Sequence, residues 1–267
     1  MFTTLLTCLL LGGFAGLAAG LLGVGGGLLI VPVLAGLFDS QGFSPAFVMQ
    51  LAVGTSLATI VITSLSSAWS HHRRGAVIWR QVAQLGLGIL FGAWLGAAMA
   101  HRLDGGVLSA IFALFEFAVA AQMLWGGLPA AHRRLPGRLP SAAAGLVIGA
   151  VSAILGIGGG TLTVPWLVWH NVDIRQAVGT SAACGLPIAL AGALGFVVAG
   201  WRVEGLPPGA TGYVYWPAAG AIVLTSMLAA PLGAHLAHTL PRERLKKAFA
   251  GLLVLLGLLM LSRLWST

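Results

Sequence analysis

The stretch LLGVGGGLLIVP, Leu21–Pro32, places four glycines and a proline inside an apolar run extending from Thr4 to Phe38. A straight helix over roughly 35 residues would be about 50 Å long, against a hydrocarbon core near 30 Å. The run therefore has to break, and GVGGG is where helix propensity is lowest. The pattern returns as ILGIGGGTLTVP, Ile154–Pro165, inside a second overlong run, Ser141–Trp169.

Around these two runs lie six more apolar segments: Pro45–Trp69, Val77–Ala100, Gly105–Trp125, Ile174–Ala199, Tyr213–Ala237 and Leu245–Leu264. The chain is 58% hydrophobic and 7% charged over 267 residues, where soluble domains carry about a quarter charged residues. This composition predicts an all-α polytopic membrane protein. Its 39 glycines suit helices that pack closely in lipid. The net charge of +8 lies in short connections rather than on a basic face, so it signals membrane orientation, and no nucleic-acid partner is expected. Cys8 and Cys184 sit in apolar runs and read as small buried hydrophobes. The first segment lacks a basic lead-in, so no cleavable signal is expected.

The second half repeats the first. GVGGGLLIVP matches GIGGGTLTVP, and AVGTS recurs at Ala52–Ser56 and Ala177–Ser181. GAVIW, Gly75–Trp79, matches GYVYW, Gly212–Trp216, and LGAAMAHRL, Leu95–Leu103, matches LGAHLAHTL, Leu232–Leu240. The expected organisation is repeat one over 1–131, a cytoplasmic linker over 132–140, and repeat two over 141–267.

Charge sets the expected topology. Arg73, Arg74 and Arg80, then Arg133, Arg134 and Arg138, then Arg242, Arg244, Lys246 and Lys247 form three basic clusters. All three face the cytoplasm only if the two glycine-broken segments enter and return to the same side. Each repeat then crosses three times, and the two repeats are inverted. Parallel repeats of four spans are the alternative if the charge rule fails.

Inverted repeats with interrupted helices point to a secondary transporter. Irregular backbone at membrane depth survives only where protein or a wet cavity satisfies it. Glycine lets a solute approach the bared N–H groups, and the half-helix that follows presents a partially positive N-terminus suited to an anion. Thr55, Ser56, Thr180 and Ser181 add hydroxyl donors without a buried charge. The competing reading is that glycines and hydroxyls serve helix packing alone. Glu116 is the one acid inside an apolar run and is a candidate for proton coupling or for a bond to a neighbouring helix. Arg175 either draws anions to one mouth or anchors a helix end. His235 and His238 are three apart, as are some metal ligands, but no third ligand is evident; His71 and His72 lie in a basic loop. No metal site, cofactor or catalytic residue is expected.

GLLGVGGGLLIVPVL, then AVGTS and HHRRGAVIW, then the whole set again, resembles the sulfite exporter TauE/SafE family of bacterial membrane permeases. The resemblance implies a multi-pass protein of the bacterial inner membrane that exports small sulfur-containing anions such as sulfite or organosulfonates. By motif it implies a substrate site of Gly23, Gly25, Gly26, Gly27, Thr55 and Ser56 with Gly156, Gly158, Gly159, Gly160, Thr180 and Ser181. The partners are then a small anion and the bilayer, with homo-oligomerisation left open. An anion channel, an importer of another oxyanion and, last, an intramembrane enzyme are the rival readings.

Overall fold

The computed structural model describes residues 2–22, 26–126, 135–236 and 242–263. Ten helices account for nearly all of them: α1 Phe2–Leu22, α2 Gly27–Ser40, α3 Val48–Arg73, α4 Trp79–Arg102, α5 Gly105–Trp125, α6 Arg138–Leu155, α7 Gly160–Trp169, α8 Ile174–Gly200, α9 Trp216–Leu236 and α10 Arg242–Ser262. The protein is an all-α polytopic membrane protein. Among the described residues, α3, α4, α5, α6 and α8 are each long and apolar enough to cross a bilayer. A two-residue hairpin, β1 Ala210–Thr211 with β2 Val214–Tyr215, sits between α8 and α9.

Both overlong runs are broken at their glycines. The first divides into α1 and α2, with residues 23–25 outside the described set, and the second divides into α6 and α7 at Gly156–Gly159.

Close approaches at small residues fix the helix directions. Gly88, Gly92 and Gly96 of α4 meet Ala142, Leu146 and Ala150 of α6, so these two helices are parallel. Gly12 and Gly16 of α1 meet Ile222 and Ser226 of α9, again in parallel. Gly192 and Gly185 of α8 meet Leu57 and Ser64 of α3, so that pair is antiparallel. α9 begins beside the first turns of α3, where Gly54 and Thr55 meet the Tyr213–Tyr215 loop, and packs on α3, so it runs with α3. α1 follows α9, and therefore runs the same way as α3. The connection 41–47 ties the end of α2 to the start of α3, so α2 doubles back on α1. By the same steps α6 runs with α8, and α7 doubles back.

The returns are unequal in length. α1 and α6 have 21 and 18 residues, while α2 and α7 have 14 and 10. At about 1.5 Å per residue the long arms approach a full crossing and the short arms do not.

Positions matched by the duplicated motifs make matched contacts. α1 packs on α9 as α6 packs on α4, α5 pairs with α10, and α3 lies against α8 at the centre. The outward surface is apolar, with Phe91, Leu114 and Leu228 about 70% exposed, as a lipid-facing surface must be.

The α4–α6 seam depends on having no side chains in it: a methyl at Gly92 would overlap the Leu146 carbonyl. Gly92→Leu is expected to destabilise the fold by about 1–3 kcal/mol. A lowered melting temperature in detergent, with no such drop for Leu at the open position Gly86, checks this.

Candidate functional site

The two helix breaks meet tip to tip. A methyl at Gly27 would lie 2.5 Å from the Gly156 carbonyl oxygen and 2.9 Å from Ile157 Cα. Gly156 has φ +66°, a left-handed conformation that favours glycine, and its pro-side-chain face is closed by Val31 and Val53.

The local backbone explains why the break is stable on one side and bare on the other. At the end of α6, Gly156 N donates to Ala153 O (3.3 Å) and Ile157 N to Ser152 O (3.0 Å). This left-handed glycine cap satisfies the last carbonyls. The start of α7 has no such provision. Gly159 caps it without a side-chain bond, and among the described residues no backbone hydrogen bond is donated by Gly158, Gly159, Gly160 or Thr161. Gly26 likewise caps α2 without a side-chain bond. Among the described residues, each short arm thus opens with N–H groups that no side chain caps and with the positive end of its dipole.

The hydroxyls divide into two kinds. Thr55 Oγ1 accepts from Tyr215 N (3.0 Å), and Thr180 Oγ1 accepts from Ile78 N (3.0 Å). Tyr215 and Ile78 are matched positions of the two GxVxW motifs. The preceding glycines complete the fit: a methyl at Gly179 would lie 2.5 Å from the Ala76 carbonyl, and one at Gly54 would overlap the Tyr213 carbonyl. Each AVGTS helix therefore clasps the interhelical loop of the other half, once at each end of the bundle. Ser56 Oγ donates to Gly156 O (2.7 Å), bracing the tip. Four further hydroxyls are buried without a partner among the described residues. Ser152, Thr163 and Ser181 are 0–2% exposed, and with Thr161 they have hydroxyls without a hydrogen-bond partner among the described residues.

Of the residues expected from sequence, Gly26, Gly27, Ser56, Gly156, Gly158, Gly159, Gly160 and Ser181 belong to the tips or brace them, while Thr55 and Thr180 hold the loops. Gly23 and Gly25 lie outside the described residues. Glu116 is fully buried on α5, neither carboxylate oxygen having a partner among the described residues. α5 packs chiefly on α10, whereas the tips are framed by α3 and α8. Arg175 is exposed in the first turn of α8, its N–H held by the Asp173 cap (2.9 Å). The described residues contain no cluster that could hold a metal; the side chain of His235 and all of His238 fall outside them. Ser152, Thr161 and Thr163 are not in the expected set. The signal for the last two is the replacement of Leu28-Leu29-Ile30 by Thr161-Leu162-Thr163 between otherwise matched motifs.

Beyond the tips, each end of the bundle carries a cluster of apolar side chains. At the Tyr215 end, Phe38, Phe43 and Tyr215 form a ring cluster with centroids 5.1–5.6 Å apart. Above it a cavity of about 360 Å³ is lined by Gly42, Phe43, Ser44 and Gly205–Pro208. The Tyr213 hydroxyl lies 3.0 Å from His101 Nδ1, and burial pushes the phenol's pKa up. At the Ile78 end, Leu167, Val172 and Ala177 pack with Ile78, Val164, Trp166 and Val168.

A helical membrane bundle with paired, interrupted helices is the architecture of a multi-pass permease. The chain belongs to the sulfite exporter TauE/SafE family, whose model matches residues 8–260. It is 38% identical over 262 residues to a probable membrane transporter protein of Haemophilus influenzae, covering 97% of this chain and 98% of that one. Another probable membrane transporter protein, from Methanocaldococcus jannaschii, is 27% identical with 97% of both chains covered. A third, YdhB of Bacillus subtilis, is 27% identical over 92% of this chain and 96% of its own. No solved structure gives a significant match. These relatives make the protein a membrane transporter, not an enzyme.

Proposed function

We propose that the protein is an alternating-access exporter of small sulfur-containing anions, sulfite or organosulfonates, with its site where the two helix breaks meet. The observation that carries this is the abutment of Gly27 on Gly156–Ile157, beside two half-helices that begin with uncapped N–H groups. Such groups attract negative charge and need no buried cation to do so. The sulfur-containing solute and the outward direction rest on the family's description.

The two halves act as inverted repeats. The helix directions support this reading, because matched elements run oppositely: α3 against α8, and α4 against α9. Charge orients the bundle. Arg73, Arg74, Arg80, Arg138 and Arg175 lie at the Ile78 end with the start of α10, whereas Arg102, Arg202 and Arg263 lie at the other end beside Asp104, Glu204 and Asp39. The Ile78 end is therefore cytoplasmic. We read the two clasped loops and the apolar clusters at both ends as features of an occluded state in such a cycle. Counterflow, which a channel does not give, requires such a state.

Purified protein in proteoliposomes is expected to take up labelled sulfite saturably, with counterflow, and with competition from sulfoacetate. Flux that is linear in concentration and shows no counterflow would assign a channel instead. Absence of flux or binding for every member of a sulfite, thiosulfate, sulfoacetate and sulfate panel would overturn the anion reading.

A further inference from the structure

The two half-sites share a backbone but not a chemistry. A methyl at Gly159 would lie 2.9 Å from Thr163 Oγ1, and one at the matched Gly26 would lie 3.2 Å from Ile30 Cδ1. The spot beside the second glycine break is thus faced by the Thr163 hydroxyl next to Ile188 Cδ1 (2.8 Å), whereas no side-chain hydroxyl faces the matched spot at Gly26, where Ile30 Cδ1 and Ala15 Cβ (3.4 Å) are the nearest side-chain atoms. Thr163 and Ile30 are both buried, at 0% and 4% exposure. The duplicated serines differ as well. Ser56 spends its proton on Gly156 O, while Ser181, 2% exposed, has a hydroxyl without a partner among the described residues. The Ser181 carbonyl lies 3.9 Å from the same methyl position at Gly159, so the Ser181 backbone borders the second break.

An unpaired hydroxyl costs free energy wherever it is buried, and lipid offers it no water. Unpaired hydroxyls at Thr161 and Thr163, in the first turn of an uncapped helix, and at Ser181, whose backbone borders the break, are accounted for by a partner that is itself a strong acceptor. Resting on the anion reading above, we infer that the anion is bound off-centre: the second break holds its charged head through Thr163, Ser181 and the α7 N–H groups, and the first break offers Ile30 as an apolar wall. Thr163 and Ile30 are then the residues that set specificity. The site takes a small anion with one charged end and one apolar end in preference to a bare oxyanion.

The test uses the full-length protein in detergent and in proteoliposomes. Thr163→Val keeps the shape and removes the hydroxyl. It is expected to raise KM for methanesulfonate roughly 10- to 100-fold, the range for losing a hydrogen bond to a charged group. Its melting temperature should hold or rise by about 2 °C, because an unpaired buried group is removed. Thr163→Ser should restore KM. Ser181→Ala should behave like Thr163→Val, whereas Ser56→Ala should lower the melting temperature by losing its brace. Ile30→Thr should narrow the preference of the native protein for ethanesulfonate over sulfite. A native protein that carries these anions while Thr163→Val leaves KM unchanged, or loses melting temperature as Ser56→Ala does, overturns the off-centre site but keeps the anion reading. A native protein that binds none of them overturns the anion reading itself.

Discussion

Gly27→Val is expected to abolish transport while leaving a membrane-inserted protein. The added Cβ would sit 2.5 Å from the Gly156 carbonyl oxygen and 2.9 Å from Ile157 Cα, separations that backbone atoms do not tolerate. The neighbours cannot yield by a rotamer change, because both are main chain. Gly156 is itself held at φ +66° between Val31 and Val53. The tips must therefore part, and the N–H groups of the proposed site part with them. The long arms carry the insertion: α1 is anchored on α9, and α6 on α4, by contacts remote from the tips. Flux should fall to background, with expression and labelling topology unchanged. Gly251→Val, at a position with open space around it, should behave as native. Native flux in Gly27→Val would mean that the meeting of the tips has no part in transport.

The second large effect concerns the two loop clasps. Thr180→Val removes the acceptor for Ile78 N, and Thr55→Val the acceptor for Tyr215 N. Each leaves a backbone N–H unpaired, at a cost of about 1–3 kcal/mol, and each does so at one end of the bundle only. A shift of that size moves a two-state population by a factor of about 5–150. Thr180→Val should favour the state open to the cytoplasm, and Thr55→Val the state open to the other side. A reporter cysteine at Thr161, with Cys8 and Cys184 replaced by alanine, should label several-fold faster from the matching side with an impermeant reagent. The Thr55 variant should respond less. Its loop keeps the Tyr213–His101 contact and the Phe38–Phe43–Tyr215 cluster, whereas the matched position on the other loop is Ala76. Labelling that rises from the same side in both variants would show that the clasps do not separate the two states.

These effects rest on contacts of different visibility in the sequence. GVGGG and GIGGG announce themselves, because a run too long for the bilayer, interrupted by its weakest helix formers, has to bend there whatever surrounds it. The two AVGTS copies stand out as well, but not their work. Thr55 bonds a residue 160 positions away and Thr180 one 102 positions away. No local pattern reveals a partner that only chain crossing brings near. Ser56 and Ser181 occupy matched places, yet one braces a tip and the other is unpaired among the described residues. Glu116 is visible as a lone acid in an apolar run, and the structure adds that it is fully buried on α5.

Sequence alone determined that this chain is a helical membrane protein with two matched, broken segments, because apolar length, glycine content and charge placement act through solvation and local propensity. Only the tertiary structure decided that the breaks touch, that each half clasps the loops of the other, and that a hydroxyl stands at Thr163 where a hydrocarbon stands at Ile30. Those features belong to pairs of surfaces, and a pair exists only once the chain has folded back on itself.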